Sequence, residues 1–161
     1  MSSVSGSSHM DVYVQKGARQ EITEALKRSL KMIGMQAESY AKMLCPVKTG
    51  LLRNSIAYAC GGEPASISSY SAESGGGTGS YTGTAPADAD GTLTLYLGSN
   101  VEYAPYVELG HAQEVGRYVP AIGKRLVNSF APAYPFLRPA IENHKDEYHH
   151  IIIEELNKIP K

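Results

Sequence analysis

Residues 19–44 read RQEITEALKRSLKMIGMQAESYAKML, and this stretch decides the fold. Apolar residues recur in it at steps of three or four, the spacing that places side chains on one face of an α-helix. We expect this helix to end at Cys45, because Pro46 disfavours helical geometry in the residue before it. The predicted apolar face consists of Ile22, Leu26, Leu30, Ile33, Ala37, Tyr40, Ala41 and Leu44.

A small antiparallel sheet is predicted beside this helix. Residues 92–99 carry leucine at every second position, which places the three leucines on one face of a strand. Residues 54–60 predict a second strand that follows a turn at 49–53 and pairs with the first. Residues 11–15 contain β-prone Val12, Tyr13 and Val14 and predict an entry strand.

A second amphipathic helix is predicted near the C-terminus. Residues 135–139 open it, and Pro139 is suited to its first turn. Its apolar stripe would consist of Ile141, Tyr148, Ile152, Leu156 and Ile159. Residues 103–109 predict a short helical turn that Gly110 closes. This order of elements indicates an α+β fold in which two long amphipathic helices pack on one face of a small antiparallel sheet.

The domain organisation follows from length and composition. Residues 1–9 are rich in Ser and Gly and are expected to be an expression-tag remnant, while residues 10–161 are long enough for a single domain. Residues 61–91 carry too little apolar surface to offset their ordering entropy, which predicts a long flexible loop between two strands. Residues 111–134 are ambiguous and are compatible with one further strand or with none.

Composition argues against several classes of protein. The net charge of −1 is unlike that of a dedicated nucleic-acid binder, which is distinctly basic. No apolar run approaches the roughly 20 residues that cross a bilayer, and no secretory signal is visible, so no membrane partner is expected. Cys45 and Cys60 are too few for a disulfide framework or a four-ligand zinc site, and we expect both to be inert thiols.

Motifs for catalysis are also missing. The glycine-rich residues 75–83 lack the spacing of a dinucleotide or phosphate loop, and Gly123-Lys124 lacks the earlier glycine of a Walker loop. His144 and His149 are five residues apart, so they do not share a helix face as i, i+4 metal ligands do. We therefore expect no enzymatic activity, no cofactor, no metal and no small-molecule substrate.

Charge is distributed unevenly along the chain. Residues 16–53 contain eight basic and three acidic side chains, whereas residues 139–161 contain five acidic and three basic ones. Three interpretations remain open: solvated helix faces, complementary surfaces between neighbouring subunits, or a basic lining to a DNA-conducting lumen. The basic first helix also keeps an alternative function open, that of a stand-alone nucleic-acid-binding module.

Three segments match the elements of one known family. Residues 46–56, PVKTGLLRNSI, match P-x-x-T-G-x-L-R-x-S-I; residues 101–110, VEYAPYVELG, match Y-A-x-Y-V-E-x-G; and residues 135–140, PFLRPA, match P-F-L-R-P-A. Their order and their placement relative to the two helices make the set specific. Over about residues 17–156 the chain resembles the tail-component family of long-tailed bacteriophages, whose members join head to tail or complete the tail.

The resemblance implies a structural virion protein of the neck or head-proximal tail end, made in the bacterial host cytoplasm. It implies a homo-oligomeric ring, commonly six-fold, that contacts the tail tube or terminator and head-completion proteins, with DNA at most passing through the lumen. We further expect Glu108 to pair with Arg53 or Arg138. The candidate assembly residues are Thr49, Gly50, Leu52, Arg53, Ser55, Tyr103, Ala104, Tyr106, Glu108, Gly110, Phe136, Leu137, Arg138 and Pro139.

Overall fold

A computed structural model describes residues 8–13 and 20–159 of the chain. Its elements confirm an α+β fold with small antiparallel sheets. In chain order they are β1 Ser8–Tyr13, α1 Gln20–Leu44, α2 Leu51–Ser55, β2 Ala57–Cys60, β3 Ser69–Ser71, β4 Thr78–Ser80, β5 Thr92–Gly98, α3 Ala104–Leu109, β6 His111–Ala112, β7 Tyr118–Val119, β8 Lys124–Arg125, β9 Phe130–Ala131, α4 Leu137–Glu142 and α5 Lys145–Asn157.

The main sheet has three antiparallel strands in the order β1-β5-β2. The central strand β5 confirms the predicted alternation, because Leu93, Leu95 and Leu97 are buried and the residues between them are half-buried. The predicted pairing of residues 54–60 with this strand is confirmed from Ala57 onward. The entry strand begins at Ser8, earlier than the predicted Asp11, and is described to Tyr13, which lies opposite Thr92; Val14 and Gln15 lie outside the described residues.

The long helix α1 lies across the sheet and confirms the predicted element to its last residue. The Cys45 N–H donates the final helical hydrogen bond to the Ala41 carbonyl at 2.9 Å before Pro46 ends the helix. Gly34 lets the helix approach β2 closely, since a Cβ at this position would lie 2.3 Å from Cδ2 of Tyr58. The apolar face of α1 therefore packs directly on the leucine face of β5 and on Tyr58.

The predicted second long helix is wrong in one respect, because it is divided into α4 and α5. Tyr148 is buried, and its hydroxyl donates to the Ala140 carbonyl at 2.6 Å. A continuous helix would give that carbonyl to the N–H four residues later. The Tyr148 hydroxyl instead donates to the Ala140 carbonyl, so the helical hydrogen bonding is interrupted there. It resumes in α5, where the Tyr148 N–H donates to the His144 carbonyl at 3.0 Å. Both helices still pack against α1.

Residues 61–91 are not a structureless connection, because β3 and β4 form an antiparallel hairpin within them. The hairpin is tied to the body by polar contacts that do not require apolar residues. The Asn54 side-chain amide donates to the Ser71 carbonyl of the hairpin at 2.9 Å, and within the segment the Gly62 N–H donates to the Pro86 carbonyl at 3.1 Å. A composition poor in apolar residues therefore still yields a segment that is hydrogen-bonded along its length.

Residues 111–131, which the sequence left ambiguous, form a single two-stranded excursion that we call the arm. The pair β6–β9 lies at its base and β7–β8 near its tip. Three backbone bonds continue the ladder between these pairs, and they run from the Gln113 N–H to the Ser129 carbonyl, from the Gly116 N–H to the Leu126 carbonyl and from the Leu126 N–H to the Arg117 carbonyl. Gly110, with φ of 71°, turns the chain into the arm, where a Cβ would lie 2.6 Å from the Ala131 carbonyl oxygen.

No helix among the described residues is long and apolar enough to cross a membrane.

Candidate functional site

The carboxylate of Glu108 joins two of the sequence elements singled out above. Its side chain is only 7% exposed. One oxygen accepts hydrogen bonds from the backbone N–H groups of Phe136 at 2.7 Å and Leu137 at 2.9 Å, and the other accepts from Arg138 at 2.9 Å. These groups open α4, and the first N–H groups of a helix have no partner within it. Glu108 therefore caps α4 from a distant position in the sequence.

The expected ion pair of Glu108 was wrong, because among the described residues its carboxylate is bound by backbone N–H groups and not by the guanidinium groups of Arg53 or Arg138. Arg53 forms its ion pair with Glu73, which lies beside the β3–β4 hairpin. Three N–H donors that all point at one carboxylate satisfy its charge without a cation. The second and third sequence elements thus meet through backbone chemistry.

The first element, residues 46–56, builds a turn that holds the hairpin. Gly50 adopts a left-handed φ of 81° and its carbonyl accepts from the Asn54 N–H at 2.9 Å, which starts α2. The Thr49 carbonyl accepts from the Glu73 N–H at 2.8 Å. With the Arg53–Glu73 ion pair, this turn attaches the hairpin at two points.

Ser55 lies at the centre of a buried polar network. Its hydroxyl bonds to the Leu52 carbonyl and lies 2.6 Å from the Ser99 hydroxyl. The Tyr81 hydroxyl donates to the Ser55 carbonyl at 2.7 Å and accepts from the Asn100 N–H at 3.1 Å. Burial raises the pKa of Tyr81 to about 12, so this hydroxyl remains a donor at neutral pH. The network connects α2, the hairpin segment and the end of β5.

Most of the fourteen candidate residues therefore maintain the fold. Gly50, Leu52, Ser55, Ala104, Glu108, Phe136 and Leu137 are buried, and Thr49, Arg53, Gly110 and Pro139 are half-buried. Only Tyr103, Tyr106 and Arg138 are exposed. Sequence reasoning missed Glu73, Tyr81 and Ser99, because nothing in a Gly/Ser-rich stretch marks which residue will face a distant turn.

Exposed Tyr103 borders an apolar groove of about 500 Å³. One wall is formed by residues 46–52, which include Val47, and the other by Tyr103 and Val107. Tyr106 and Leu109 project from α3 nearby and are each more than half exposed. Aromatic side chains with a polar tip are enriched at protein interfaces, so this surface is suited to contact with another protein.

The basic side chains of α1 are largely paired with carboxylates of the same chain. Arg28 bonds to Glu155 of α5 at 3.2 Å, and the buried Glu155 carboxyl has its pKa lowered by hydrogen bonds from Lys158 and then from Arg28. The other described pairs are Lys27–Glu24, Lys31–Glu63 and Lys42–Glu38. The uneven charges of the two ends of the chain thus meet in part within one molecule, as Arg28 and Glu155 do.

The cysteines and histidines form no catalytic or metal-binding arrangement in the described part of the chain. Cys45 and Cys60 are free and buried, and burial raises the pKa of each thiol to about 11. The His144 ring stacks on Tyr40 at 3.5 Å, and both side chains bond to Glu147. These contacts hold α1 against α5. No group of three or more metal-binding side chains occurs among residues 20–159.

Residues 9–110 match a family model described as "Bacteriophage HK97-gp10, putative tail-component". The match contains the sequence elements at residues 46–56 and 101–110, and it ends before the third element at 135–140. No curated protein and no solved structure matches the chain significantly.

Proposed function

Because the chain belongs to the HK97-gp10-like family of bacteriophage tail components, we propose that it is a structural virion protein that forms a ring at the head-proximal end of a phage or phage-like tail. In this role it would act as a neck, tail-completion or head–tail connector component. One surface would meet copies of itself, and others would meet the tail tube or terminator and the head-completion proteins. The work would be mechanical, and no catalysis is proposed.

The observation that carries the proposal is the family match over residues 9–110. The geometry supports it, because the turn at 46–56 and helix α3 are held in place by Glu108, Ser55 and the Arg53–Glu73 pair. This frame carries two exposed tyrosines, Tyr103, which lines an apolar groove, and Tyr106 of α3. Rigid, partly apolar surface is what a subunit of an assembly must present to its neighbours.

The test is the solution mass of the protein across a concentration series, by light scattering after size exclusion, together with negative-stain images. We expect closed rings, either of the protein alone or after addition of purified tails that lack it. Tyr106→Arg should reduce assembly, because it places a charge on the exposed surface of α3 that we propose as a contact surface. Met35→Arg is the matched control, since Met35 has a similar exposure but lies on α1.

A protein that stays monomeric at every concentration, and also fails to bind tails, would contradict the proposal. Equal loss of assembly in the Tyr106→Arg and Met35→Arg variants would show that the surface beside α3 has no special part in it.

A further inference from the structure

The arm presents a surface that the rest of the molecule does not cover. Among residues 111–131 none is buried. Five large apolar side chains are between 52% and 81% exposed, and they are Val115, Tyr118, Ile122, Val127 and Phe130. The arm is attached to the body at its base, where the Tyr134 N–H bonds to the Val107 carbonyl at 2.8 Å and His111 contacts the edge of Tyr106.

A projection of this kind gains stability when it is covered. An isolated two-stranded hairpin is marginally stable in water, and single soluble domains rarely leave a long apolar element uncovered. The arm is also basic, because it contains three basic residues, Arg117, Lys124 and Arg125, and only one acidic residue, Glu114. None of these three cations forms an ion pair within residues 20–159, although Arg125 bonds to the Gly116 carbonyl. A fitting partner surface is therefore acidic with an apolar centre.

The outer face of α5 has this character. Asp146, His150 and Ile153 are spaced i, i+4, i+7 and so share one face of the helix, which points away from α1. Ile153 is 54% exposed at its centre. Exposed Glu154 adds a second carboxylate to Asp146 and is engaged only by His150 among the described residues, while the exposed Lys145 lies at the first turn of the helix.

The groove beside α3 is a poorer match to the arm. Its lining includes Lys48 and contains no carboxylate, so the cations of the arm would gain no counter-charge there. Charge complementarity therefore distinguishes the two acceptor surfaces, although both offer apolar contact.

We propose that the arm of one copy of this chain docks on the outer face of α5 of a second copy, with Ile122 near Ile153 and the arm cations against Asp146 and Glu154. The inference rests on the proposed function, in which copies of the chain meet. Arm and acceptor are different surfaces, so the contact is heterologous and each copy both gives and receives an arm. Contacts of that type close into a ring when the rotation between copies allows it.

Disulfide trapping between two differently tagged copies tests this contact. One copy carries Ile122→Cys at the arm tip and the other carries Ile153→Cys on α5. The native thiols are buried and have a pKa of about 11, so they compete poorly for oxidation at pH 8. We expect the mixed disulfide to form at least tenfold faster than with Met35→Cys as the acceptor, a matched exposed position on α1.

A second variant tests the charge argument without disturbing the core. A triple charge reversal in the Ile122→Cys copy should abolish the preferential disulfide formation with Ile153→Cys. It consists of Arg117→Glu, Lys124→Glu and Arg125→Glu. Asp146→Lys with Glu154→Lys in the acceptor copy should restore that preference. All five side chains are exposed, so folding is expected to be retained, and circular dichroism checks this.

The outcomes separate the arm contact from the proposed function. The arm contact would be overturned, and the tail role would stand, if rings or tail binding occurred without preferential trapping at Ile153. Faster trapping to Val47→Cys in the groove would have the same meaning. Preferential trapping that the triple reversal abolishes supports the arm contact. If it occurred in a protein that forms no ring and binds no tail, the arm contact would stand and the proposed function would fall.

Discussion

Glu108 shows how one side chain can decide the relative position of two helices. Its carboxylate is buried and holds three N–H groups at the start of α4, while its own backbone belongs to α3. Buried polar groups are tolerated only when they are satisfied, and here the three N–H donors and the carboxylate acceptor satisfy one another. The residue therefore fixes α3, which carries exposed Tyr106, relative to the C-terminal helices.

Glu108→Ala should lower the free energy of unfolding by about 2–4 kcal/mol, because it leaves three N–H groups without an acceptor in a buried place. Glu108→Gln retains one carbonyl oxygen and should cost about half as much. Urea denaturation followed by circular dichroism measures both. Glu102→Ala, an exposed neighbour, is the control and should change stability by less than about 0.5 kcal/mol. An effect of Glu108→Ala as small as the control's would refute the capping role.

Gly34 governs the contact between α1 and the sheet. In most helices Gly→Ala stabilises by about 1 kcal/mol. Here we expect Gly34→Ala to destabilise by about 1–3 kcal/mol, because the new Cβ would lie 2.3 Å from the Tyr58 ring, which is packed against the core.

A double-mutant cycle with Tyr58→Ala checks this element-scale prediction. Removing the ring should make Gly34→Ala neutral or stabilising, so the coupling between the two changes should be large and of opposite sign to the single effect. Ser39→Ala on the exposed face of α1 serves as the control. A stabilising Gly34→Ala in the wild-type background would mean that Tyr58 moves away at little cost.

The elements that the sequence predicted correctly are those with a regular local pattern. The 3.6-residue period of α1 and the alternation of β5 appear in the residues themselves, and both elements are confirmed. The break between α4 and α5 depends on the Tyr148 hydroxyl, and the β3–β4 hairpin depends on a turn that is distant in sequence. No local sequence pattern indicates either feature. The same holds for the site: Glu108 was identified, but its partners lie 28 to 30 residues away.

At the scale of the whole molecule, paired charges bear on the choice between a tail role and DNA binding. Four cations of α1 already face carboxylates of the same chain. We expect no saturable binding to a 30-base-pair duplex at micromolar protein in about 50 mM salt, measured by fluorescence anisotropy. Tight binding that weakens steeply with added salt would instead support the nucleic-acid-binding alternative.

The two buried thiols report on opening of the whole fold. Their pKa of about 11, against an ordinary 9.0, leaves about one thiol in a thousand ionised at pH 8. Iodoacetamide should therefore label native protein at least 100-fold more slowly than urea-unfolded protein, with mass spectrometry as the readout. Labelling should accelerate in Glu108→Ala, because a less stable fold opens more often. Rapid labelling of the native wild type would contradict the burial of Cys45 and Cys60.

The packing of α1 also determines when the chain can fold in the cell. Its apolar face is covered by β2, which follows it closely in sequence, and by β5, α4 and α5, which follow it by about 50 residues or more. At a translation rate of 5–20 residues per second, α1 leaves the ribosome roughly 6–20 s before α5 is complete. Until β5, α4 and α5 emerge in turn, part of its apolar stripe is without native partners, so the nascent chain is a natural client for chaperones that bind amphipathic segments.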